Sequence, residues 1–117
     1  MDAERNCLFC KICRREISAR IVDDSEGIVA FHDVNPMAPV HILIVPKAHV
    51  SSVNELDETN AALVSEMTLR AARLAASLNL SDSGYRLVMN TGSEAGQSVF
   101  HLHMHLLGGR PMTWPPG

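Results

Sequence analysis

The 117-residue sequence predicts an α+β fold in which one long helix is set among several strands. Apolar residues recur every three or four positions between residues 63 and 78, which is the spacing of one helical stripe. The run His41–Val45 is β-branched and apolar on both faces, as in a central strand. Between Val99 and Gly109, apolar residues alternate with histidines, which is the period of a half-buried strand.

The elements before the long helix are predicted from short patterns and turn residues. Residues 8–16 place apolar side chains on one side and charges on the other, which predicts a short N-terminal helix. Strands are predicted at Ile17–Asp23 and Gly27–His32, around the turn residues 24–27. Prolines at 36 and 39 then predict a fixed loop before the strand at His41.

Polar residues bound the long helix at both ends. Asp57 is predicted to cap the start of the helix, and Ser81–Gly84 to end it. A strand is then predicted at Tyr85–Asn90, before a glycine- and serine-containing loop at Thr91–Ser98. The residues predicted for the buried stripe of the helix are Leu63, Met67, Ala71, Leu74 and Leu78.

Composition excludes several classes of protein. With 46% hydrophobic residues, we expect one compact domain spanning 1–117. A net charge of −3 without a basic run argues against nucleic acid as a partner. No stretch is apolar enough for a membrane span, and the charged first ten residues predict no signal peptide. Three cysteines crowded into residues 7–13 form a poor disulfide framework, so we expect a reducing, cytoplasmic setting.

Three histidines are predicted to share one face of the last strand. Read at period two, His101, His103 and His105 fall on one side, with neighbouring side chains about 6–7 Å apart. The opposite side is predicted to pack on the core, and it contains Phe100, Leu102, Met104 and Leu106.

This row of imidazoles has three interpretations. It could be a solvated strand face on which histidine is tolerated. It could hold a metal ion, since His-x-His can direct two imidazoles at one cation. It could also act as a nucleophile, because imidazole is largely neutral at pH 7 and attacks phosphorus well.

The loop before the histidines favours a phosphate substrate. Gly92–Ser98 is rich in backbone N–H groups, and glycine lets main chain approach an anion closely. The Ser98 hydroxyl and the Gln97 amide stand next to the histidines in sequence, within reach of phosphate oxygens. A simple hairpin turn is the alternative for this loop.

At these residues the sequence resembles the histidine-triad (HIT) superfamily, whose signature is His-φ-His-φ-His-φ-φ with φ apolar. Residues 101–107 fit every position of that signature. The blocks at 31–36, 38–41, 44–49 and 96–99 are similar to the family's blocks and stand in the family's order. The tail 108–117 resembles that of the Hint-like branch, the purine nucleoside phosphoramidases.

The resemblance implies a five-stranded antiparallel sheet with one short N-terminal and one long helix. It implies a homodimer with a continuous ten-stranded sheet and the long helices at the interface. It also implies that adenosine 5′-phosphoramidates are hydrolysed at the P–N bond to AMP. Acyl-adenylates are likewise expected to be hydrolysed to AMP. The tail at 108–117 is expected near the partner's active site, with Trp114 influencing substrate choice.

The resemblance also implies roles for individual residues. His103 is the nucleophile that forms a nucleotidyl-histidine intermediate, and His105 and His101 orient it and help to bind phosphate. Ser98 and Asn90 bond the α-phosphate or the departing nitrogen, with the backbone around Gly96 and Gln97 completing the cradle. Asp33 holds the ribose hydroxyls. The expected base pocket consists of Phe9, Ile12, Phe31, His32, Val34 and Leu43.

The resemblance does not decide whether the protein binds a metal ion. No cofactor is expected for catalysis, but zinc ligands of bacterial-type members align with Cys7, Cys10, His49 and His101. Two thiolates and two imidazoles suit a structural zinc ion. If His101 is a zinc ligand, the same nitrogen cannot also bind phosphate.

Three further functions remain as alternatives. One is a dinucleoside polyphosphate hydrolase, against which the tail at 108–117 argues. Another is a non-catalytic AMP-binding regulatory protein, and the third is a zinc-dependent structural module. His41 likewise has two interpretations, as an interior histidine or as a residue beneath the active site.

Overall fold

The computed structural model describes residues 5–117, so the first four residues of the predicted domain lie outside it. Two α-helices and five strands are formed within this range. None of the described helices is long and apolar enough to cross a membrane. The elements are α1 (Leu8–Cys13), β1 (Ile21–Ser25), β2 (Ile28–His32), β3 (Val40–Pro46), α2 (Ala62–Ser77), β4 (Tyr85–Val88) and β5 (Met104–Gly108).

The strands form one antiparallel sheet in the order β1-β2-β3-β5-β4, which confirms the predicted α+β fold. Alternate residues of β2 and β3 enter two different cores. Ile42 and Ile44 pack under α2, together with Met67. Leu43 and Val45 pack under α1 on the other face of the sheet. The apolar run of β3 is therefore buried on both faces because a helix covers each.

The first hairpin is tighter than predicted. β1 begins at Ile21 rather than Ile17 and continues to Ser25, which pairs with Ile28. Glu26 and Gly27 alone form the turn, with φ of 44° and 87°. Two positive φ values in a two-residue loop match the twist of a hairpin, so pairing extends through Asp24 and Ser25.

The helix α2 starts later than predicted. Its first residue is Ala62, and no side chain caps it. Asp57 instead accepts hydrogen bonds from the backbone N–H and the hydroxyl of Thr59, at 2.8 and 2.6 Å. Asp57 therefore stabilises the turn that precedes the helix.

The end of α2 also differs from the prediction. The helix ends at Ser77, and Asn79 adopts a positive φ of 63°. The Leu80 N–H then donates to the Ala75 carbonyl at 2.8 Å, which turns the chain back and buries Leu80. Leu78, predicted on the buried stripe, is consequently exposed, whereas the rest of the stripe packs on the core.

The last two strands are shorter than predicted. β4 ends at Val88 rather than Asn90, and β5 begins at Met104 rather than Val99. Before β5, the Leu102 N–H donates to the carbonyl of Val50 at 2.6 Å, outside the ladder between β3 and β5. Phe100, predicted to be in the core, is 53% exposed because it lies in this irregular segment.

Candidate functional site

The three histidines do not form the predicted row. His101 and His103 precede β5, and only His105 lies within the strand, opposite Leu43 of β3. His101 is fully buried and turned toward the cysteines of the N-terminal segment, with its Nδ1 3.3 Å from the Sγ of Cys7. The rings of His103 and His105 remain together, with centroids 5.1 Å apart.

His103 has one nitrogen committed to the backbone. Its Nδ1 lies 2.6 Å from the carbonyl oxygen of His101 and must donate to it, because a carbonyl only accepts. Burial lowers the pKa of His103, while this hydrogen bond and the charge of Asp33 oppose the shift. In the neutral ring, Nε2 is therefore the unprotonated nitrogen, and its lone pair is free.

His105 is held through His41. The Met37 N–H donates to Nδ1 of His41 at 3.0 Å, so the proton of neutral His41 is on Nε2. That Nε2 lies 2.8 Å from Nδ1 of His105 and 3.4 Å from a carboxylate oxygen of Asp33. Donation to His105 leaves the proton of the neutral His105 ring on Nε2.

Desolvation keeps this pair uncharged. Burial, together with the neighbouring His103 and His41, lowers the pKa of His105 to about 4, although Asp33 opposes the shift. Burial also lowers the pKa of His41, although Asp33 opposes the shift. At pH 7 the pair is neutral, and His105 presents an N–H donor rather than a cation.

A cavity of about 370 Å³ adjoins these rings. Its polar end contains His103, His105, Asp33 and Ser98, and most of the remaining lining is apolar, contributed by α1, β2, β3 and the irregular segments beside them. All six residues predicted for the base pocket line it, although Val34 is 98% exposed at the rim. Five further lining residues were not predicted, and none of them lies in a strand: Leu8, Ile17, Ser18, Ala19 and Val99.

Asp33 is already partly engaged at the rim of this cavity. One carboxylate oxygen accepts the Asn35 N–H at 2.8 Å, which stabilises the turn before the proline loop. The other oxygen approaches His41. Asp33 therefore both stabilises this turn and faces the cavity.

The glycine-containing loop is arranged differently from the expected phosphate cradle. The N–H groups of Gly96 and Gln97 donate to the carbonyls of Ser93 and Gly92, both at 3.1 Å. The Gln97 side chain is buried and donates to the Ser51 carbonyl, so its amide faces the protein. The expected cradle at Gly96 and Gln97 is not formed, because the single 3₁₀ turn at Ser93–Ala95 uses these donors internally.

Of the two other predicted phosphate ligands, Ser98 lines the cavity. Asn90 is half-buried and stands outside the described lining. The tail 108–117 contributes no described lining residue, and Trp114 is exposed. The Arg110 guanidinium binds the Met37 carbonyl, which ties the tail to the loop that holds His41.

A four-residue cluster adjoins the cavity. Potential ligand atoms of Cys7, Cys10, His49 and His101 all lie within 4.8 Å of one another. Cys10 Sγ is 3.3 Å from Nδ1 of His49 and 3.4 Å from Nδ1 of His101. Ligand bonds of zinc length in a tetrahedron separate sulfur and nitrogen ligands by roughly 3.5 Å.

The chemistry of this cluster also fits a zinc ion. His101 donates Nε2–H to the Pro46 carbonyl at 2.7 Å, which leaves the Nδ1 lone pair directed at the cysteines. Burial lowers the pKa of His101 to about 4, so the ring is neutral as a ligand must be. Both ring nitrogens of His101 therefore face protein groups outside the cavity. The contact of His101 with the predicted nucleophile, His103, is made by its backbone carbonyl.

Phe9 connects the two groups. It lies between the cysteines in sequence, and its ring meets those of His101 and His103 edge-on, at centroid separations of 5.9 and 5.0 Å. The same ring lines the cavity and contacts Phe31. The metal-type cluster, the His103 ring and the cavity therefore share one packed side chain.

Comparison with known proteins gives consistent relatives. The family model for the HIT domain matches residues 14–112. A purine nucleoside phosphoramidase of Escherichia coli is 44% identical over 105 residues, covering 90% of this chain and 88% of that protein.

Solved structures agree. A HIT family hydrolase from Legionella pneumophila superposes with a TM-score of 0.94 at 50% identity, covering 96% of this chain and 100% of that one. A histidine triad nucleotide-binding protein from Candida albicans gives a TM-score of 0.80 at 29% identity, covering 94% and 83%. The chain belongs to the histidine-triad (HIT) family.

Proposed function

We propose that this protein hydrolyses the P–N bond of adenosine 5′-phosphoramidates to AMP, with His103 as the nucleophile, and that it also hydrolyses acyl-adenylates to AMP. One observation carries the proposal: the hydrogen bond from Nδ1 of His103 to the His101 carbonyl. It leaves Nε2 unprotonated in a ring that borders the cavity. A neutral, oriented imidazole is what attack on phosphorus requires.

The reaction then has two displacements. The Nε2 lone pair of His103 forms a bond to the α-phosphorus, the P–N bond breaks, and the amine leaves with that electron pair and a proton. The Ser98 hydroxyl, which lines the same cavity, donates this proton to the amine and regains one from solvent. Water then attacks phosphorus, loses a proton, and the His103 lone pair is restored. Two inversions give net retention at phosphorus.

His105 acts on the phosphoryl oxygens in this scheme. Its Nε2–H, fixed by the hydrogen bond from His41, is a donor for the negative charge that grows in each displacement. A neutral donor at pH 7 does not need to be deprotonated or recharged between the steps. His41 is therefore assigned a positioning role beneath the active site.

The cavity accounts for the nucleoside. Its volume of about 370 Å³ and its apolar end, with Phe9, Phe31 and Leu43, suit a flat base. Asp33 is the acceptor assigned to the ribose hydroxyls. The E. coli relative, named as a purine nucleoside phosphoramidase, supports the choice of a purine phosphoramidate.

The test is AMP release from an adenosine 5′-phosphoramidate that carries a fluorescent amine. Wild-type protein should cleave it, and His103→Ala should lose at least about 10³-fold in kcat because the nucleophile is gone. A diadenosine polyphosphate serves as the competing substrate, and AMP binding shows that the variant is folded. AMP binding without turnover of either substrate would instead indicate a binding protein.

We also propose a structural zinc ion held by Cys7, Cys10, His49 and His101. The cation would supply charge neutralisation to two thiolates and a fixed orientation to the His101 ring. The distances of 3.3–3.4 Å between the sulfur and nitrogen atoms support it. Catalysis itself uses no cofactor in this scheme.

A homodimer in the cytoplasm completes the proposal. β4 is an edge strand, and α2 carries the exposed Leu69, so pairing of two β4 edges would cover both elements. Light scattering should give twice the mass of one chain. Leu69→Asp should shift the mass toward a monomer, and an unchanged monomeric mass for the wild type would contradict the dimer.

A further inference from the structure

A second cavity, of about 400 Å³, lies against the nucleotide cavity. The two share Leu8, Ser98 and Val99, so these three residues form a common wall. None of the proposed catalytic histidines lines this second cavity. The complete described lining is Asn6, Cys7, Leu8, His49, Ser51, Ser98, Val99 and Phe100.

Two of these side chains are apolar and unusually exposed. Phe100 is 53% exposed and Leu8 is 42% exposed, although Cys7 and Phe9 on either side of Leu8, and His101 after Phe100, are buried. An aromatic ring and an aliphatic side chain facing one open cavity form an apolar patch that a ligand can cover. The irregular segment before β5 turns Phe100 away from the core, where strand alternation would have placed it.

The cavity also offers no counter-charge to a cationic ligand, because the proposed zinc ion would neutralise the thiolate of Cys7. Among the residues described for its lining there is no carboxylate, lysine or arginine. Its only imidazole, His49, has its Nδ1 against Cys10. A ligand that enters here with an ammonium group would lose hydration without gaining a counter-charge. A neutral, apolar group has no such hydration of a charge to lose.

The position of the shared wall indicates the direction of the leaving group. The nucleoside occupies the apolar end of the first cavity, and the reacting phosphorus must lie at His103. In-line attack by His103 places the breaking P–N bond on the far side of phosphorus, and Ser98, which we assign to pass a proton to the leaving amine, must lie beside that bond. Beyond Ser98 lies the second cavity.

We propose that this second cavity binds the amine-side group of the substrate, and that Phe100 and Leu8 select apolar, aromatic amines over cationic ones. This inference rests on the proposed phosphoramidase function. When the P–N bond breaks, the amine leaves with the bonding electron pair and one proton, and departs through this cavity. No further reactant is needed.

The test compares two AMP phosphoramidates of similar length. One amine ends in a phenyl ring and the other ends in an ammonium group. Wild-type protein should favour the phenyl substrate by about tenfold or more in kcat/KM, the scale of discrimination that an apolar pocket gives. Phe100→Ala and Leu8→Ala should each reduce this ratio toward one. Phe100→Asp should shift the ratio in favour of the ammonium substrate.

Val22→Ala is the matched control, because Val22 is similarly exposed, at 39%, but lies on β1 away from both cavities. Its ratio should equal that of the wild type. AMP binding confirms that each variant is folded.

The outcomes separate this inference from the proposed function. Equal kcat/KM for both substrates would overturn the second site, and so would a kcat/KM ratio that stays unchanged in Phe100→Ala, Leu8→Ala and Phe100→Asp. Neither result would contradict the proposed phosphoramidase activity. No turnover of either substrate by wild-type protein would overturn both.

Discussion

His41, His101, His103 and His105 each have a ring nitrogen in contact with another group of the protein. His103 faces a backbone carbonyl, His101 faces both a carbonyl and two thiols, and His41 and His105 face each other. Since a neutral imidazole has one donor and one acceptor, each contact fixes what the other nitrogen can do. The differences among chemically identical side chains therefore arise from single hydrogen bonds.

His41 provides a test at this scale. His41→Leu should reduce kcat about tenfold or more with little change in AMP affinity, because Nδ1 of His105 loses its donor and the ring its orientation. His41→Gln should restore part of the rate, since its amide can both accept from Met37 and donate to His105. Steady-state kinetics and AMP titration separate these effects. Equal kcat in the wild type and both variants would contradict the positioning role.

At the scale of elements, the loop at Thr91–Ser98 is held by one side chain. Gln97 accepts the Gly92 N–H at 2.9 Å and donates to the carbonyls of Ser51 and Val99 at 2.8 and 3.2 Å. The loop is consequently attached to the segment after β3. Ser98 takes its position at the wall between the two cavities from this attachment.

Gln97→Ala should lower the free energy of unfolding by about 1–3 kcal/mol, because three half-buried backbone groups lose their partner. Urea denaturation measures this change. Gln97→Glu is the matched variant: it keeps the acceptor for Gly92 but cannot donate to the two carbonyls, so it should also destabilise. A free energy of unfolding equal to the wild type in both variants would show that solvent replaces these bonds.

Across the whole molecule, distant segments meet around His101. Cys7 and Cys10 come from the N-terminal segment, His49 follows β3, and His101 precedes β5. An ion bound there would tie α1 to the sheet in addition to the apolar core that already joins them. Since α1 has only six residues, such a tie should be visible in global stability.

Adding zinc to metal-free protein should raise Tm by several degrees, and a chelator should reverse the change. Cys10→Ser should abolish this zinc-dependent shift. Cys13→Ser is the matched control, because Cys13 stands outside the four-residue cluster, and its shift should persist. Thermal melts with and without zinc measure both. A shift that survives Cys10→Ser would place the ion elsewhere.

The periodic patterns predicted the elements well where they are strong. The stripe of α2 from Leu63 to Leu74 and the doubly buried β3 were both correct, because burial of many apolar residues outweighs local detail. Predictions of element ends were wrong in several places. In the structure, for example, α2 starts only at Ala62 and β5 only at Met104. Element ends depend on single hydrogen bonds with other segments, and those leave no periodic signal.

The sequence by itself determined the family, the α+β fold and the residue types of the candidate site, because these depend on local patterns. Only the tertiary structure decided which contacts each of the three histidine rings makes, and therefore which ring nitrogen carries the proton. The partner of the His101 Nδ1 is 94 residues away, that of its Nε2 is 55 away, and that of the His105 Nδ1 is 64 away. The protonation of a ring nitrogen depends on the group it faces, and folding alone brings those groups together.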